Sequence, residues 1–126
     1  MLVVDAANVI GSRPTGWWKD RSGAAGSFVG DLRVAVGSGR LNGPVVVVLE
    51  GKARPGASSG TADGVTVVHA EGSGDDALVD VVRDAVGSRD DADAVVLVTA
   101  DRELRRRAEA VGAEVVGPKW LWEHLD

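Results

Sequence analysis

Pro44 is followed by five consecutive apolar residues, Val45-Val46-Val47-Val48-Leu49, and then by Glu50. Successive side chains of a strand point to opposite faces, so a strand built from this run is apolar on both. Such a strand needs cover on two sides, the usual situation of a parallel strand between layers of helices. The rest of the chain supplies both partners. Short apolar runs predict further strands over 2–5, 65–70, 94–99 and 113–116. Between them, Ala25, Phe28, Val29, Leu32 and Val36 repeat at helical spacing over 22–36, which Gly37-Ser38-Gly39 ends. Leu78, Val79, Val82 and Val86 make the stripe of a second helix, with Asp75 or Asp76 as its cap. Leu104, Ala108 and Val111 do the same for a third that begins at Asp101 and stops at Gly112. Pro118 opens a last short helix over 118–125. Residues 6–21 and 51–63 read as connections, the second Gly- and Ser-rich and mobile, and Asp90, Asp91 and Asp93 as a solvated turn. The expected fold is α/β, a three-layer α/β/α sandwich with a largely parallel sheet of about five strands. At 126 residues there is room for a single domain, 1–126, and not for two cores.

Composition excludes several functions. Without cysteine there is no disulfide framework, thiolate zinc site or Cys nucleophile, and two histidines are too few for a His-rich metal site. The apolar runs are far short of a membrane span, and the start MLVVDAANV has neither the charge nor the length of a signal peptide. A cytoplasmic location is the expectation. The formal net charge of −5 argues against a broad basic surface for nucleic acid. It is unevenly spread: residues 1–60 hold seven basic and four acidic side chains (net +3), residues 61–126 seven and 15 (net −8).

The position of the acids is informative. In open α/β sheets ligands bind beyond the carboxyl ends of the strands. The first strand ends in Asp5 and the second in Glu50, the third leads through 71–74 into Asp75 and Asp76, and the fourth runs through Thr99 to Asp101. Singly, these residues suit helix caps or polar strand ends. Five acids crowded on one edge would repel strongly unless a cation compensates them. A donor set of carboxylates alone points to a hard ion, Mg²⁺ or Mn²⁺. Two such ions, about 3.5–4 Å apart, would activate water and stabilise the leaving oxygen of a phosphodiester.

Four stretches carry a family resemblance. V-V-D-A-A-N at 3–8, V-V-L-E-G at 47–51, G-D-D-A-L-V at 74–79 and V-T-A-D-R-E-L at 98–104 resemble, in order and spacing, the signature stretches of NYN domains. These are PIN-like, metal-dependent ribonuclease domains related in fold to the 5′-nuclease group. The resemblance spans essentially the whole chain, through Gly112-Ala113, and the loop GSRPTGWWKDR at 11–21 is similar to that of small bacterial, particularly actinobacterial, members. It implies that Asp5, Asp76 and Asp101 ligate metal, with Glu50 and Asp75 completing the pocket directly or through water. It further implies that Asn8 orients a ligand or water and that the Thr99 hydroxyl supports the Asp101 loop. Many NYN domains place a Lys just before the third acidic position. This chain has Ser73-Gly74-Asp75 there, leaving Arg102 as the nearest basic substitute.

In the 11–21 loop, Trp17 and Trp18 beside Arg13, Lys19 and Arg21 suit single-stranded RNA, since indoles stack bases and cations meet phosphates. One Trp is expected to be buried and the other at least partly exposed. Arg105, Arg106 and Arg107 read as a solvated face, with Arg102 set apart beside Asp101. His69 reads as structural, and His124, Trp120 and Trp122 as core packing of the last helix. The closing VVGPKWLWEHLD superficially resembles the end of a BRCT module, without the upstream layout of one. The leading reading is a Mg²⁺/Mn²⁺-dependent ribonuclease. Its competitors are a PIN-like module that binds RNA or a partner protein without cutting, and a phosphohydrolase or receiver-like domain. The last is disfavoured because Asp5 is followed by Ala-Ala and not by a further Asp. A protein partner or homo-oligomer is compatible with either of the first two.

Overall fold

The computed structural model describes residues 1–88 and 94–126. The turn expected around Asp90, Asp91 and Asp93 lies outside the described residues. The chain begins with β1 (Leu2–Asp5), α1 (Ala6–Gly11), a 3₁₀ turn (Trp17–Lys19) and α2 (Arg21–Gly37). It continues through β2 (Val45–Leu49), a second 3₁₀ turn (Gly51–Gly56), β3 (Gly60–Ala62), β4 (Val65–His69) and α3 (Gly74–Ser88). It closes with β5 (Val96–Val98), α4 (Arg102–Ala110), β6 (Glu114–Val116) and α5 (Pro118–Leu125).

One sheet runs through the molecule in the order β3-β4-β2-β1-β5-β6, parallel at every pairing except β3 with β4. The all-apolar run forms β2, paired on both edges and buried throughout, as its composition demands. The alternation of β1 separates two cores. Leu2 and Val4 join Val45, Val47 and Leu49 against Val9 of α1, Phe28, Val29 and Leu32 of α2 and Leu121 of α5. Val3 and Val48 face the other way, onto Leu78, Val79 and Val82 of α3 and Leu104 and Ala108 of α4. The architecture is therefore the expected three-layer sandwich.

Three expectations need correction. Residues 6–21 are not a plain connection: Asp5 accepts the Asn8 N–H at 3.3 Å and caps α1, whose Ala6 and Val9 are buried. Nor are 51–63 a plain loop. Ala53 and Ala57 pack on the core, and Asp63 (φ 52°) and Gly64 (φ 77°) make the two-residue turn of a β3–β4 hairpin. Both central residues of such a turn need positive φ, which Asp-Gly supplies. The sheet consequently has six strands instead of five. Finally, Asp75 and Asp76 lie inside the first turn of α3 and not at its cap position.

Chain order moves from β1 outward to β2 and β4, then crosses by α3 to β5 on the opposite side of β1. This reversal places the carboxyl ends of β1 and β5 at a topological switch point, where loops diverge and leave a crevice. Among the described residues, no helix is long and apolar enough to cross a membrane.

Candidate active site at the switch point

Asp5, the last residue of β1, is the centre of the site and is 7% exposed. Its two carboxylate oxygens have separate partners: the Thr99 hydroxyl donates to one at 2.9 Å and the Asn8 N–H to the other at 3.3 Å. Thr99 is wholly buried, and its Oγ1 also accepts the Asp101 N–H at 3.2 Å. One hydroxyl thus ties the ends of β1 and β5 to the start of α4. Asn8 closes the same loop from the other side, its Oδ1 accepting the Ala100 N–H at 2.8 Å. Asp101 caps α4 by accepting the Leu104 N–H at 2.9 Å.

Glu50, just past β2, accepts the Gly74 N–H at 2.6 Å and so anchors the start of α3. That bond brings β2 and α3 together at the site and sets Asp75 beside Glu50. Burial pushes the Asp5 carboxyl up to about 6; the charges of Asp75 and Glu50 push the same way, against the lowering effect of Thr99 and Asn8. Asp75 is also raised, first by desolvation and then by Asp101 and Glu50, with Arg107 opposing. Asp5, Glu50, Asp75 and Asp101 therefore share one negative field.

Asp76 makes the smallest contribution to this field, a further upward push on Asp75. Its side chain is 72% exposed, and its Oδ1 accepts from Arg107 at 3.0 Å. The arginines of α4 also differ from expectation. Arg105 is half-buried and donates through Nε to the Thr99 carbonyl at 2.7 Å, Arg106 pairs with Glu103, and Arg107 reaches the acids. Only Arg106 is part of a solvated face; Arg102 is exposed beside Asp101. Arg105 falls four residues after Asp101, a spacing that could have placed it on the same side, whereas nothing in the spacing of Arg107 marks it.

The loop residues divide as well. Trp17 is half-buried and Trp18 is 53% exposed, their rings edge-on with centroids 5.9 Å apart. Arg21 lies over the Trp17 ring at 5.6 Å, and Lys19 is exposed. Arg13 is turned away from the acids: it forms a bidentate pair with Asp126 at 2.6 and 3.2 Å and stacks 4.0 Å over Trp122. Trp122 is half-buried against Phe28, whereas Trp120 is exposed and packs on His124 instead of entering the core. His69 holds the Ala57 carbonyl at 2.7 Å, a structural contact.

Among the described residues, no three Asp, Glu, His or Cys side chains converge closely enough to enclose an ion as they are placed. The donor chemistry still fits Mg²⁺, which takes one or two carboxylates and keeps several waters. Asp5 and Asp75 are both raised first by desolvation, and neighbouring acids push each further, a setting that a hard cation would relieve.

No family model matches the chain, and no curated protein is similar to it. Among solved structures it is similar to Rae1 (YacP) from Bacillus subtilis, with a TM-score of 0.71 and 20% identity over 99% of this chain and 72% of that one. A tryptophan-to-leucine mutant of the same protein gives a TM-score of 0.68 and 17% identity over 98% and 73%. At such identities the likeness shows the fold, the PIN-like α/β sandwich implied by the four motifs.

Proposed function

We propose that this chain is a Mg²⁺- or Mn²⁺-dependent ribonuclease of the NYN type. The observation that carries this reading is the gathering of Asp5, Glu50, Asp75 and Asp101 at the switch point, with Asp5 and Asp75 pushed up by desolvation and by neighbouring acids. The likeness of fold supports it without bearing on catalysis.

Asp5 with Asp75 or Asp101 would hold the ion directly, the third acid and Glu50 contributing through water while Glu50 keeps the Gly74 N–H. Asp76, which the motif resemblance puts among the ligands, is engaged by Arg107, so Asp75 is preferred to it here. A bound ion would lower the pKa of a water and neutralise charge gathering on the phosphate. The chain's own residues do the positioning. Thr99 and the Asn8 N–H fix both oxygens of Asp5, so a carboxylate lone pair stays aimed at the crevice without side-chain reordering. Asn8 holds the backbone at Ala100, which sets the height of Asp101. Lys19 and Arg102, both exposed, are free to meet phosphates on either side of the cut.

One observation favours a second reading, a PIN-like module that binds RNA or a protein without cutting: the absence, among the described residues, of three converging donors. Incubating the protein with single-stranded RNA and Mn²⁺, beside Asp101→Asn, separates the two. Asn caps a helix as well as Asp, so the variant keeps its fold. Cleavage should fall by more than the roughly 10–100-fold that loss of an outer-shell partner costs. Equal behaviour of wild type and variant, with no Mn²⁺ heat in calorimetry, would establish the non-cutting reading.

A further inference from the structure

A hollow of about 450 Å³ opens between the 11–21 loop, α2 and α5, away from the acids. Its walls include Trp17, Phe28 and Trp122, and its rim Arg13, Ser27 and Asp31. The volume falls within the roughly 300–1,000 Å³ typical of small-molecule sites. We propose that this groove is a nucleobase pocket selective for guanine, receiving a base that flanks the bond to be cut.

Three observations lead there. The first is continuity with the acids. Ile10, Trp17 and Ala24 line this groove and also a smaller hollow of about 80 Å³ whose wall includes Glu50. A strand with a phosphate at the acids therefore has a track along α1, past Trp17, into the groove. The second is the aromatic wall. Indole rings and guanidinium planes are the surfaces on which unpaired bases stack, and Arg13 already sits 4.0 Å over the Trp122 ring, paired with Asp126.

The third is the state of the two carboxylates. Asp20 and Asp31 project from the same stripe of α2 as Ala24, Ser27 and Phe28. Asp20 is occupied in capping α2, accepting the Gly23 N–H at 3.0 Å and the Ser22 hydroxyl at 3.3 Å. Asp31 is exposed and, among the described residues, has no hydrogen-bond or ion-pair partner. A lone carboxylate at the rim repels phosphate and accepts from N–H groups. Guanine is the only RNA base with two adjacent N–H donors on its pairing edge, N1–H and the 2-amino group, and these match two carboxylate oxygens. Adenine and cytosine set a ring-nitrogen acceptor beside their amino group, and uracil flanks its single N–H with carbonyls, so each places a lone pair against Asp31.

This inference rests on the ribonuclease reading for its direction, but the test does not use cleavage. Guanosine 5′-monophosphate and inosine 5′-monophosphate differ only by the 2-amino group. Titrated into the labelled protein in EDTA, each is read through the indole N–H resonances of Trp17 and Trp122. Guanosine monophosphate should shift both resonances and bind about tenfold more tightly than inosine monophosphate, the discrimination a bidentate contact gives. Asp31→Asn should abolish that preference without changing the spectrum elsewhere. Trp17→Phe should retain binding, and Trp17→Ala should lose it. Equal affinity for the two nucleotides, a preference that survives Asp31→Asn, or no shift at either indole would overturn the proposal. Guanine binding without cleavage in Mn²⁺ would sink the ribonuclease reading alone. Cleavage without guanine binding would sink only the pocket.

Discussion

Asp5 is the residue whose titration most directly reports the site. In the free chain its carboxyl belongs near 3.8; in the fold, burial and the neighbouring acids hold it near 6. The fold therefore favours the protonated form. Its contribution to stability is fully present below pH 3.8 and is lost as pH rises through about 6. A neutral Asp5→Asn should thus be the more stable protein at pH 7.5 and gain nothing at pH 3.5. The ceiling is about 3 kcal/mol, from roughly two pKa units, and we expect about 1–2 kcal/mol because Asn presents only one acceptor to Thr99 and Asn8. Melting curves in EDTA at the two pH values decide it; an equal difference at both would mean that Asp5 carries no unusual proton affinity. Asp75 and Asp76 offer a sharper contrast, since they are adjacent in sequence and differently engaged. Asp76→Asn removes an exposed ion pair with Arg107, worth about 0–1 kcal/mol, and should leave most of the cleavage rate. Asp75→Asn should remove cleavage and Mn²⁺ binding while melting like wild type. Initial rates and calorimetry on the two variants would show the reverse order if Asp76 is the ligand.

At the scale of elements, the start of α3 depends on a glycine chosen for space. Gly74 has no positive φ; what it lacks is a Cβ, which would run into the Glu50 carboxylate. Gly74→Ala should therefore expel Glu50 from its bond to the Gly74 N–H, a charge-assisted contact worth about 1.5–3 kcal/mol, and shift Asp75 with it. Melting should change little, because the flexible Glu50 carboxylate swings aside and Ala suits a helix better than Gly by about 1 kcal/mol, but Mn²⁺ affinity should drop. A variant that binds Mn²⁺ like wild type would mean that the Glu50–Gly74 contact does not set Asp75 in place. Neither this contact nor the Asp5–Thr99 bond could be read from the chain, because 24 and 94 residues separate the partners. What could be read was periodic: β2 from its run of apolar residues, and α3 from Leu78, Val79 and Val82. Helix α1 escaped because six residues are under two turns, too short for a stripe to repeat. The β3–β4 hairpin had a signal, Asp63-Gly64 before Val65, but β3 is Gly-Thr-Ala, with no apolar alternation to mark it as a strand. The choice between Asp75 and Asp76 is equally illegible in the chain. Adjacent helical residues point about 100° apart, and only the position of Arg107 reveals which of the two acids faces the site.

For the molecule as a whole, the net charge of −5 equals the charge of Asp5, Glu50, Asp75, Asp76 and Asp101 together, so the remainder is formally neutral. The neutral remainder is not a basic binding surface in disguise. Of the loop cations, Arg13 is tied to Asp126 and Arg21 lies over Trp17; on α4, Arg105 and Arg107 are engaged by Thr99 and Asp76. Lys19, Lys52 and Arg102 remain exposed, Lys52 two residues after Glu50 and Arg102 next to Asp101. On the ribonuclease reading, attraction for RNA would come mainly from ions at the acids, where two divalent cations would add four positive charges to the place a phosphate has to sit. Each phosphate neutralised on a single strand adds about −0.7 to the slope of log K against log salt. With two or three such contacts, the slope in EDTA should be near −2 and the binding weak. Ca²⁺, a hard cation with the same taste for carboxylates, should raise affinity by at least about tenfold through its charge at the acids. Asp101→Asn should lose much of that gain while keeping the EDTA behaviour of wild type. Fluorescence anisotropy with a labelled oligouridylate, which carries no guanine, isolates this term from any reading of bases. Tight, steeply salt-dependent binding in EDTA would instead locate the attraction in side-chain cations and leave the acids without a part in holding RNA.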